Sequence, residues 1–592
     1  MRSVYRQPAS GRNWGSYRWG RMSTCQNDRR KRGNRTVWFT LSGLVFCAPL
    51  FFSALLAHAN ENVDPAQIER RLEEKTQDDR LQRAPDPQLP ATTPLAQEDS
   101  NRFTLTGITV TGTSAFTGEE LAPLYDTYLA TEVGRDELAQ IAGNVTRFYH
   151  ERGYTLTRAT IPAQSMLAGV VELRVTEGYI NNVVFSGDAP HIELQSYTRQ
   201  ILAERPLTQS TFERNLLLMH DLAGINISDI ALAEETEGSG AYTLAIKVTR
   251  SSWNSSAYLD NRGTRSVGPL QLGLTTTANN LWGTGEALTA SAYIVPNDPT
   301  ELLYGQLRLQ QPLGSDGLIL DITGTYSNTN PSIQQGLSNR EGVSVSGGLA
   351  LQYPIIRMRN ETLWLRGSFD VRNTKDETDF GILSDDRLRV ARIKLSYFRV
   401  DEWAGTNFVS LALSQGLDIL GASGAGHRWA SRFDGNVQFT KLVAEIRRHQ
   451  PLWDDHWAVA LHASGQKSSA SLLSAEEFGL GGATFGRAYE YGTLTGDNGL
   501  AGSVELQFTP DYELPIMSNL MLYGFYDVGA VWNRHTSRNL QRLSLASAGG
   551  GVRLKLFDNI SASVEAAQPL TRDTSHGGDR STQFFFSLFS QW

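Results

Sequence analysis

Three parts of the 592-residue chain hold residue types that could do chemistry. Asp454-Asp455-His456 offers metal ligands, but its place in a predicted short turn favours solvated surface. The glycine-rich stretch from Gly479 to Tyr489 resembles a phosphate-binding loop, although the strand, loop and helix order that such loops require is missing. Cys25 and Cys47 are the only cysteines, and both precede residue 60. We therefore predict no catalytic set, no metal and no cofactor, and a chain that is not an enzyme.

The first 59 residues are predicted to be a signal peptide. A basic stretch from Arg29 to Arg35 precedes an apolar run from Val37 to Ala57, and Ala57-His58-Ala59 fits a small-residue cleavage site. A membrane anchor is the alternative, but Pro49 interrupts the run. Cleavage removes both cysteines and a strongly basic segment, so the exported chain is more acidic than the net charge of −8 of the whole sequence. That charge argues against nucleic acid as a partner.

A polar helix is predicted over residues 60–81. Asp64-Pro65 is typical of an N-cap and a first-turn proline, and the following segment is charged on almost every face, with Ile68 and Leu72 as one apolar pair. Two interpretations stay open: a solvated helix, or a helix that sits inside a hydrophilic cavity. An extended linker is predicted over residues 82–101 from its prolines, Pro85, Pro87, Pro90 and Pro94.

Two copies of a small α+β unit are predicted over residues 102–178 and 179–250. Each pattern runs through one strand, two helices and two further strands. The openings Ile108-Thr109-Val110-Thr111-Gly112 and Val183-Val184-Phe185-Ser186-Gly187 are alike. A capping box from Thr117 to Glu120 marks the first helix, and Gly153 ends the second. The likeness of the two copies indicates an internal duplication.

From residue 251 to residue 592 the pattern changes to short segments in which apolar and polar residues alternate, as in transmembrane β-strands. In the segment from Leu303 to Gln310, the odd positions would face lipid, while Arg308 and its even neighbours would face a wet lumen. Arg392 and Lys394 follow the same rule, and a dry core would not accept them. We expect about sixteen strands, with the tenth near residue 431 and the last ending on Trp592.

This order of parts resembles the TpsB transporters of two-partner secretion, the family that exports haemolysins and filamentous haemagglutinins. The resemblance covers the whole exported chain. Pro162-Ala163-Gln164 followed by Glu177-Gly178 is similar to the family's first POTRA (polypeptide-transport-associated) module. The implied fold is a transmembrane antiparallel β-barrel, preceded by two α+β POTRA domains and an N-terminal plug helix. The resemblance also implies client-binding residues, namely Pro162, Gln164, Glu177 and Gly178.

A long loop over residues 469–498 carries the sharper similarity. Gly486-Arg487-Ala488-Tyr489 resembles the family's Val-Arg-Gly-aromatic loop, which folds back into the barrel, although glycine and alanine replace the family's valine and glycine. The segment Gly524 to Gly529 is similar to the strand whose inward acid pairs with that arginine. The resemblance therefore implies a pore-loop latch made by Arg487 and Asp527, with Gly486, Tyr489, Phe525 and Gly529.

A latch of this kind is physically reasonable, because an arginine and a carboxylate in a narrow lumen make charge-assisted hydrogen bonds that fix a loop reversibly. A pair that only stabilises the barrel is the alternative.

By the same resemblance, the chain is expected to be an outer-membrane pore. Its POTRA domains would lie in the periplasm and bind a haemolysin- or adhesin-like, β-helical exoprotein, which the barrel then conducts outward. Its other expected partners are outer-membrane lipids and the barrel-assembly machinery that inserts it. The first alternative is a factor that inserts other barrels, although such factors usually carry more than two repeats. A passive porin explains the barrel but neither the repeats nor the plug.

Overall fold

The computed structural model describes residues 64–77, 102–164, 167–188, 194–331, 339–454, 456–511, 517–534, 542–557, 559–574 and 578–592. The predicted signal peptide (1–59) and linker (82–101) lie outside the described residues. Helix α1 spans Pro65–Gln77 and begins after Asp64, whose side chain accepts a hydrogen bond from the backbone N–H of Ala66 at 2.9 Å. Among the described helices, none is long and apolar enough to cross a membrane.

The first module is a three-stranded sheet packed against one long helix. Its elements are β1 (Phe103–Thr104), β2 (Gly107–Thr111), α2 (Gly118–Leu121), β3 (Glu132–Val133), α3 (Arg135–Glu151), β4 (Arg158–Thr160) and β5 (Val170–Thr176). Strand β5 lies between a parallel β2 and an antiparallel β4. The apolar stripe of α3 that includes Ile141 and Val145 is buried against this sheet. Thr117 and Glu120 form the predicted capping box.

The second module repeats this order of elements. It consists of β6 (Tyr179–Gly187), α4 (Leu194–Ala203), α5 (Gln209–His220), β7 (Ile225–Glu234) and β8 (Ala241–Arg250). Strand β8 lies between a parallel β6 and an antiparallel β7, as β5 does in the first module. Leu216 and Met219 of α5 pack with Leu244 and Ile246 of β8 in its core. The shared topology agrees with the predicted duplication.

Sixteen antiparallel strands close the barrel, and its last strand pairs with its first. The first eight are β9 (Trp253–Asp260), β10 (Gln271–Asn279), β11 (Ala287–Ile294), β12 (Leu302–Leu313), β13 (Leu318–Thr329), β14 (Arg340–Arg357), β15 (Glu361–Thr378) and β16 (Gly381–Val400). The chain continues through β17 (Thr406–Gly416), β18 (Thr440–Pro451), β19 (Trp457–Ser468), an inner pair β20 (Phe478–Leu480) and β21 (Leu494–Gly496), β22 (Asn498–Phe508), β23 (Met517–Trp532), β24 (Leu543–Leu556), β25 (Ile560–Pro569) and β26 (Gln583–Gln591). The predicted antiparallel barrel of about sixteen strands is confirmed.

The alternation of side chains along the strands follows the prediction. On β12, Leu303 and Leu307 are 48% and 62% exposed, whereas Tyr304 is fully buried and Arg308 reaches Asp321 inside the lumen. A polar lumen accepts such arginines because carboxylates of the neighbouring strands pair with them. Exposed tryptophans occur near the strand ends that face the two modules, as in an interfacial girdle; they are Trp253, Trp282, Trp403, Trp453 and Trp592.

The predicted tenth strand near residue 431 is wrong in position, because β18 begins only at Thr440. Residues 417–439 instead form a loop that packs on the first half of β16. Its backbone meets that strand where Leu417 N–H donates to Arg389 O at 2.8 Å and Asp385 N–H donates to Trp429 O at 2.6 Å. Arg432 of this loop turns inward to carboxylates of the lumen, which a lipid-facing strand position would not allow.

Helix α5 fixes the second module to the barrel, at the end where β14 finishes. Arg214 donates to Pro354 O at 3.0 Å, and Arg357 of β14 makes two hydrogen bonds to the carboxylate of Asp221 at 2.6 and 2.8 Å. Leu218 packs so closely on Gly317 that a Cβ there would lie 2.5 Å from its methyl group. A bidentate ion pair beside apolar contact gives this junction a defined geometry.

Candidate functional site: the barrel lumen

The segment between β19 and β22, residues 469–497, folds back into the lumen and is called the inner loop here. It contains a short 3-10 turn, Ser474–Glu476, and the β20–β21 pair. Its apolar side chains pack on the inner face of the wall, where Phe478, Leu480 and Phe485 meet Phe525 and Leu545. Apolar packing on one side leaves the charged residues of the loop to the polar interior.

The guanidinium of Arg487 lies among three carboxylates of the wall. Its Nη1 donates to Glu505 Oε2 at 2.6 Å, its Nε is 3.4 Å from Asp527 Oδ2, and its Nη1 is 3.7 Å from Glu565 Oε2. The carbon of the guanidinium lies 4.0 Å from the centre of the Phe525 ring, within cation–π range. The predicted partner Asp527 is therefore in contact, but the short hydrogen bond goes to Glu505.

Asp527 binds the backbone of the loop as well as its arginine. Its Oδ2 accepts hydrogen bonds from the backbone N–H groups of Gly486 at 3.2 Å and Arg487 at 3.0 Å. Ser503 and Ser547 donate to the same carboxylate at 2.7 and 3.2 Å. Asp527 thus holds the tip of the inner loop, while Glu505 holds the guanidinium.

Two of the predicted glycines make room for the loop. Gly486 has a φ of +82°, and a Cβ there would lie 2.4 Å from Leu545 Cδ1, which explains glycine where the family has valine. A Cβ at Gly529 would lie 2.5 Å from Leu480 Cδ2, so this position lets β20 approach the wall. The hydroxyl of Tyr489 donates to Ala546 O at 3.2 Å, which ties the far side of the turn to the barrel.

Helix α1 lies inside the barrel, and its charged faces meet the wall. Glu69 is fully buried and accepts a hydrogen bond from Ser346 Oγ at 2.6 Å, while Arg372 Nη2 donates to Glu73 at 2.8 Å. The apolar pair Ile68 and Leu72 packs with aromatic and aliphatic side chains of the inner wall, namely Tyr293, Tyr304, Leu302, Val267 and Val295. Of the two interpretations left open above, the structure has the helix in a hydrophilic cavity.

Helix α1 also contacts the inner loop directly. Gln67 donates from its side chain to Ser474 O, and Arg70 Nη1 donates to Glu477 O at 2.5 Å. Both acceptors are backbone carbonyls in or beside the 3-10 turn of the loop. The two elements that fill the lumen are therefore joined to each other as well as to the wall.

The predicted client-binding residues of the first module make internal contacts. Gln164 Nε2 donates to Glu172 O at 2.9 Å and Gln164 Oε1 accepts from Glu172 N–H at 2.8 Å, as a neighbouring strand would. A Cβ at Gly178 would lie 2.4 Å from Leu156 O, so this position needs glycine. Pro162 is half-buried beside them. These residues shape the sheet edge at which β4 ends.

Four hydrogen-bond donors, from the loop after β2 and from α3, surround the carboxylate of Glu177. It accepts from the backbone N–H groups of Ser114 and Ala115 at 2.9 Å each, from the Ser114 hydroxyl and from the Tyr149 hydroxyl at 2.9 Å. Burial alone would raise the pKa of Glu177, but these hydrogen bonds outweigh burial and lower its pKa below the usual range. Glu177 is thus a charged anchor for residues 113–115.

Replacing Glu177 with glutamine is expected to loosen this anchor by about 1–3 kcal/mol, because an amide oxygen leaves some of the four donors unsatisfied. Hydrogen–deuterium exchange of the full-length protein should show faster exchange of residues 113–116. Glu151→Gln, at an exposed carboxylate of α3, is the matched control and should leave this segment protected. A protected segment in Glu177→Gln would contradict the anchor.

The lowered pKa of Glu177 also sets a pH dependence. A carboxyl whose folded pKa is depressed stabilises the fold above its unfolded pKa of about 4.3 and loses that contribution as the pH falls through the folded value. Protection of residues 113–116 in the unsubstituted protein should therefore persist from neutral pH to about 4 and decline only below it. Loss of protection near pH 6 would contradict this assignment.

A cleft of about 650 Å³ separates the two modules beside Glu177. Arg174 of the first module and Arg205 of the second line it, and the Arg205 guanidinium lies 4.1 Å from the centre of the Tyr179 ring. Across the described parts of the chain, no group of three or more His, Cys, Asp or Glu side chains could hold a metal ion.

Comparisons with known proteins agree with this architecture. The family model described as haemolysin secretion/activation protein ShlB/FhaC/HecB matches residues 240–554, and the model for a POTRA domain of the ShlB type matches residues 103–178. The heme/hemopexin transporter protein HuxB of Haemophilus influenzae is 23% identical over 487 residues, which cover 79% of this chain and 83% of that protein. The outer membrane transporter CdiB of Dickeya dadantii is 22% identical and covers 86% of this chain and 92% of its own.

A solved structure has the same fold. CdiB from Escherichia coli superposes with a TM-score of 0.71 at 19% identity and covers 91% of this chain and all of its own. The barrel lies in the outer membrane, and POTRA domains of this family lie in the periplasm. Proteins of this kind export partner exoproteins across the outer membrane. The chain belongs to the haemolysin secretion/activation family, ShlB/FhaC/HecB, of outer-membrane transporters.

Proposed function

We propose that this chain exports one dedicated, haemolysin- or adhesin-like exoprotein through the lumen of its barrel. The observation that carries the proposal is a pore filled by two elements of the chain itself, α1 and the inner loop. Both are held by ion pairs and hydrogen bonds, which an entering polypeptide could replace one by one. A passive porin would need neither element. Transport of this kind also needs no catalytic residue, so we propose that the chain is not an enzyme.

Export begins with capture of the client in the periplasm. The two modules offer open sheet edges and the cleft lined by Arg174 and Arg205, and an extended segment can add to such an edge by backbone hydrogen bonds. Residues Pro162, Gln164, Glu177 and Gly178 would keep the edge and the cleft in shape. The junction at Arg357 and Asp221 then presents the captured segment at the mouth of the barrel.

The gating step is displacement of α1 and the inner loop. Helix α1 acts as the plug, and the contacts of Arg487 with Glu505 and Asp527 act as the latch of the inner loop. Gln67 and Arg70 couple the two, so departure of one weakens the hold on the other. Folding of the client outside the cell would favour onward movement.

A deletion strain tests the function. Removing the gene should deplete one large exoprotein from the medium, measured by quantitative mass spectrometry, while the set of outer-membrane barrels stays the same. Depletion of many barrels would contradict export and would support the second candidate, a factor that inserts barrels. Restoration by the full-length chain is the control. The heme/hemopexin name of one relative makes growth on haem as the iron source a useful additional measurement.

A further inference from the structure

Three cations of the lumen wall take their counter-ions from the plug and the inner loop. Arg372 on β15 pairs with Glu73 at 2.8 Å and with Glu69 at 3.5 Å, both on α1. Two further cations, Arg392 on β16 at 2.5 Å and Lys441 on β18 at 2.6 Å, pair with Glu476 of the inner loop. We call Arg372, Arg392 and Lys441 the basic strip.

The wall itself supplies few acids to this strip. Arg392 keeps one partner, Asp370, at 3.0 Å. Within the described part of the chain, Arg372 and Lys441 pair with no carboxylate other than those of α1 and the inner loop. Arg308 on β12 shows the contrast, because its partner Asp321 belongs to the wall and lies at 2.5 Å. Withdrawal of the plug and loop thus uncovers the basic strip but leaves Arg308 paired.

Uncovered cations in a narrow lumen attract carboxylates more strongly than in bulk water, because the effective dielectric constant is lower. A carboxylate that arrives there can make the same charge-assisted hydrogen bonds that Glu69, Glu73 and Glu476 make at rest. Several exchangeable sites of this kind allow a chain to enter and to leave, as in conducting pores.

We propose that the basic strip is a transit site for acidic side chains of the client, and that Glu69 and Glu73 of the plug occupy part of it at rest as a stand-in for the client. The proposal rests on the export function and adds the chemistry of the passenger. An acidic segment of the client competes with α1 for Arg372, and α1 returns to Arg372 when the segment has passed.

Single-channel recording of a variant that lacks residues 64–77 tests this site. An oligoglutamate and an oligolysine of equal length are added in turn to the side that carries the POTRA modules. The oligoglutamate should interrupt the current, and the oligolysine should do so much less. Adding Arg372→Gln to the same variant should shorten the oligoglutamate blocks about tenfold, because loss of one partner of a charge pair speeds dissociation.

Arg308→Gln in the same variant is the matched control, since it removes one lumenal charge but leaves Asp321 paired with Arg366 at 2.8 Å. Its block times should change little. Equal blocking by the two peptides, or equal effects of the two substitutions, would overturn the transit site while the larger conductance still supports a plug. An unchanged conductance would instead overturn the plug, and the transit site with it.

Discussion

Replacing Arg487 with alanine is expected to stop release of the client into the medium while the barrel remains in the outer membrane, because a loop that cannot return to its latched position stays in the path of the client. The substitution leaves Glu505 and Asp527, which are 5% exposed and fully buried, without their loop cation. Glu505 keeps Arg553 at 2.5 Å, whereas Asp527 loses the cation that pairs with it. Removing one partner of a buried ion pair costs about 3–5 kcal/mol. Since about 1.4 kcal/mol is a factor of ten, the ratio of latched to unlatched loop should fall at least a hundredfold. Immunoblots of the medium and of the outer-membrane fraction measure the two results.

Arg580→Ala is the matched control for this variant. Arg580 pairs with Asp573 at 3.3 Å, but both side chains are more than half exposed, and such pairs contribute about 0–1 kcal/mol. Its secretion should therefore be normal. Normal client levels with Arg487→Ala, from a barrel present in equal amount, would leave Arg487 as a residue that only stabilises the barrel.

Deleting residues 64–77 is expected to raise the single-channel conductance several-fold, because α1 fills lumen that ions would otherwise cross. Hydrogen bonds between the barrel wall and side chains such as Glu69 and Arg71 hold the helix in the lumen. Recording in planar bilayers measures the change directly. An equal conductance with and without the helix would rule out a plug.

Two single substitutions refine this result. Glu69→Gln removes the charge of a fully buried carboxylate, so the plug should leave its seat more often and brief openings should become more frequent. Glu74→Gln removes the charge of a carboxylate that is 52% exposed, and it should change the opening frequency little. Equal opening frequencies in the two variants would contradict a role of Glu69 in holding α1.

The barrel was predictable because its signal is local. Alternation along one strand, as from Leu303 to Arg308, reveals which face meets lipid without knowledge of any partner. The prediction failed at residue 431, where the loop 417–439 has a composition close to that of its neighbours. Its fold depends on contacts with β16 and the inner loop that are distant in sequence.

The latch was predictable only in part, because its geometry depends on register between strands. The resemblance implied Arg487 and Asp527, and both lie in the same contact cluster. Glu505, which makes the shorter contact, was not predicted to have a role, although its position opposite Phe525 places it on the same inward face. The contacts of α1 with the wall could not be predicted either, since its partners Ser346 and Arg372 lie more than 270 residues away in the sequence. The roles of these residues stay predictions.

The central claim is that a polypeptide crosses through the lumen, and site-specific photocrosslinking during export tests it most directly. A photoreactive amino acid at Ser346, which faces the lumen beside Glu69, should form a covalent adduct with the client. The same group at the neighbouring Val345, which is 50% exposed on the outer face, should form none. Adducts at Ser346 that appear only while the client is expressed are the predicted result. Client release into the medium without any adduct at Ser346 would contradict passage through the barrel.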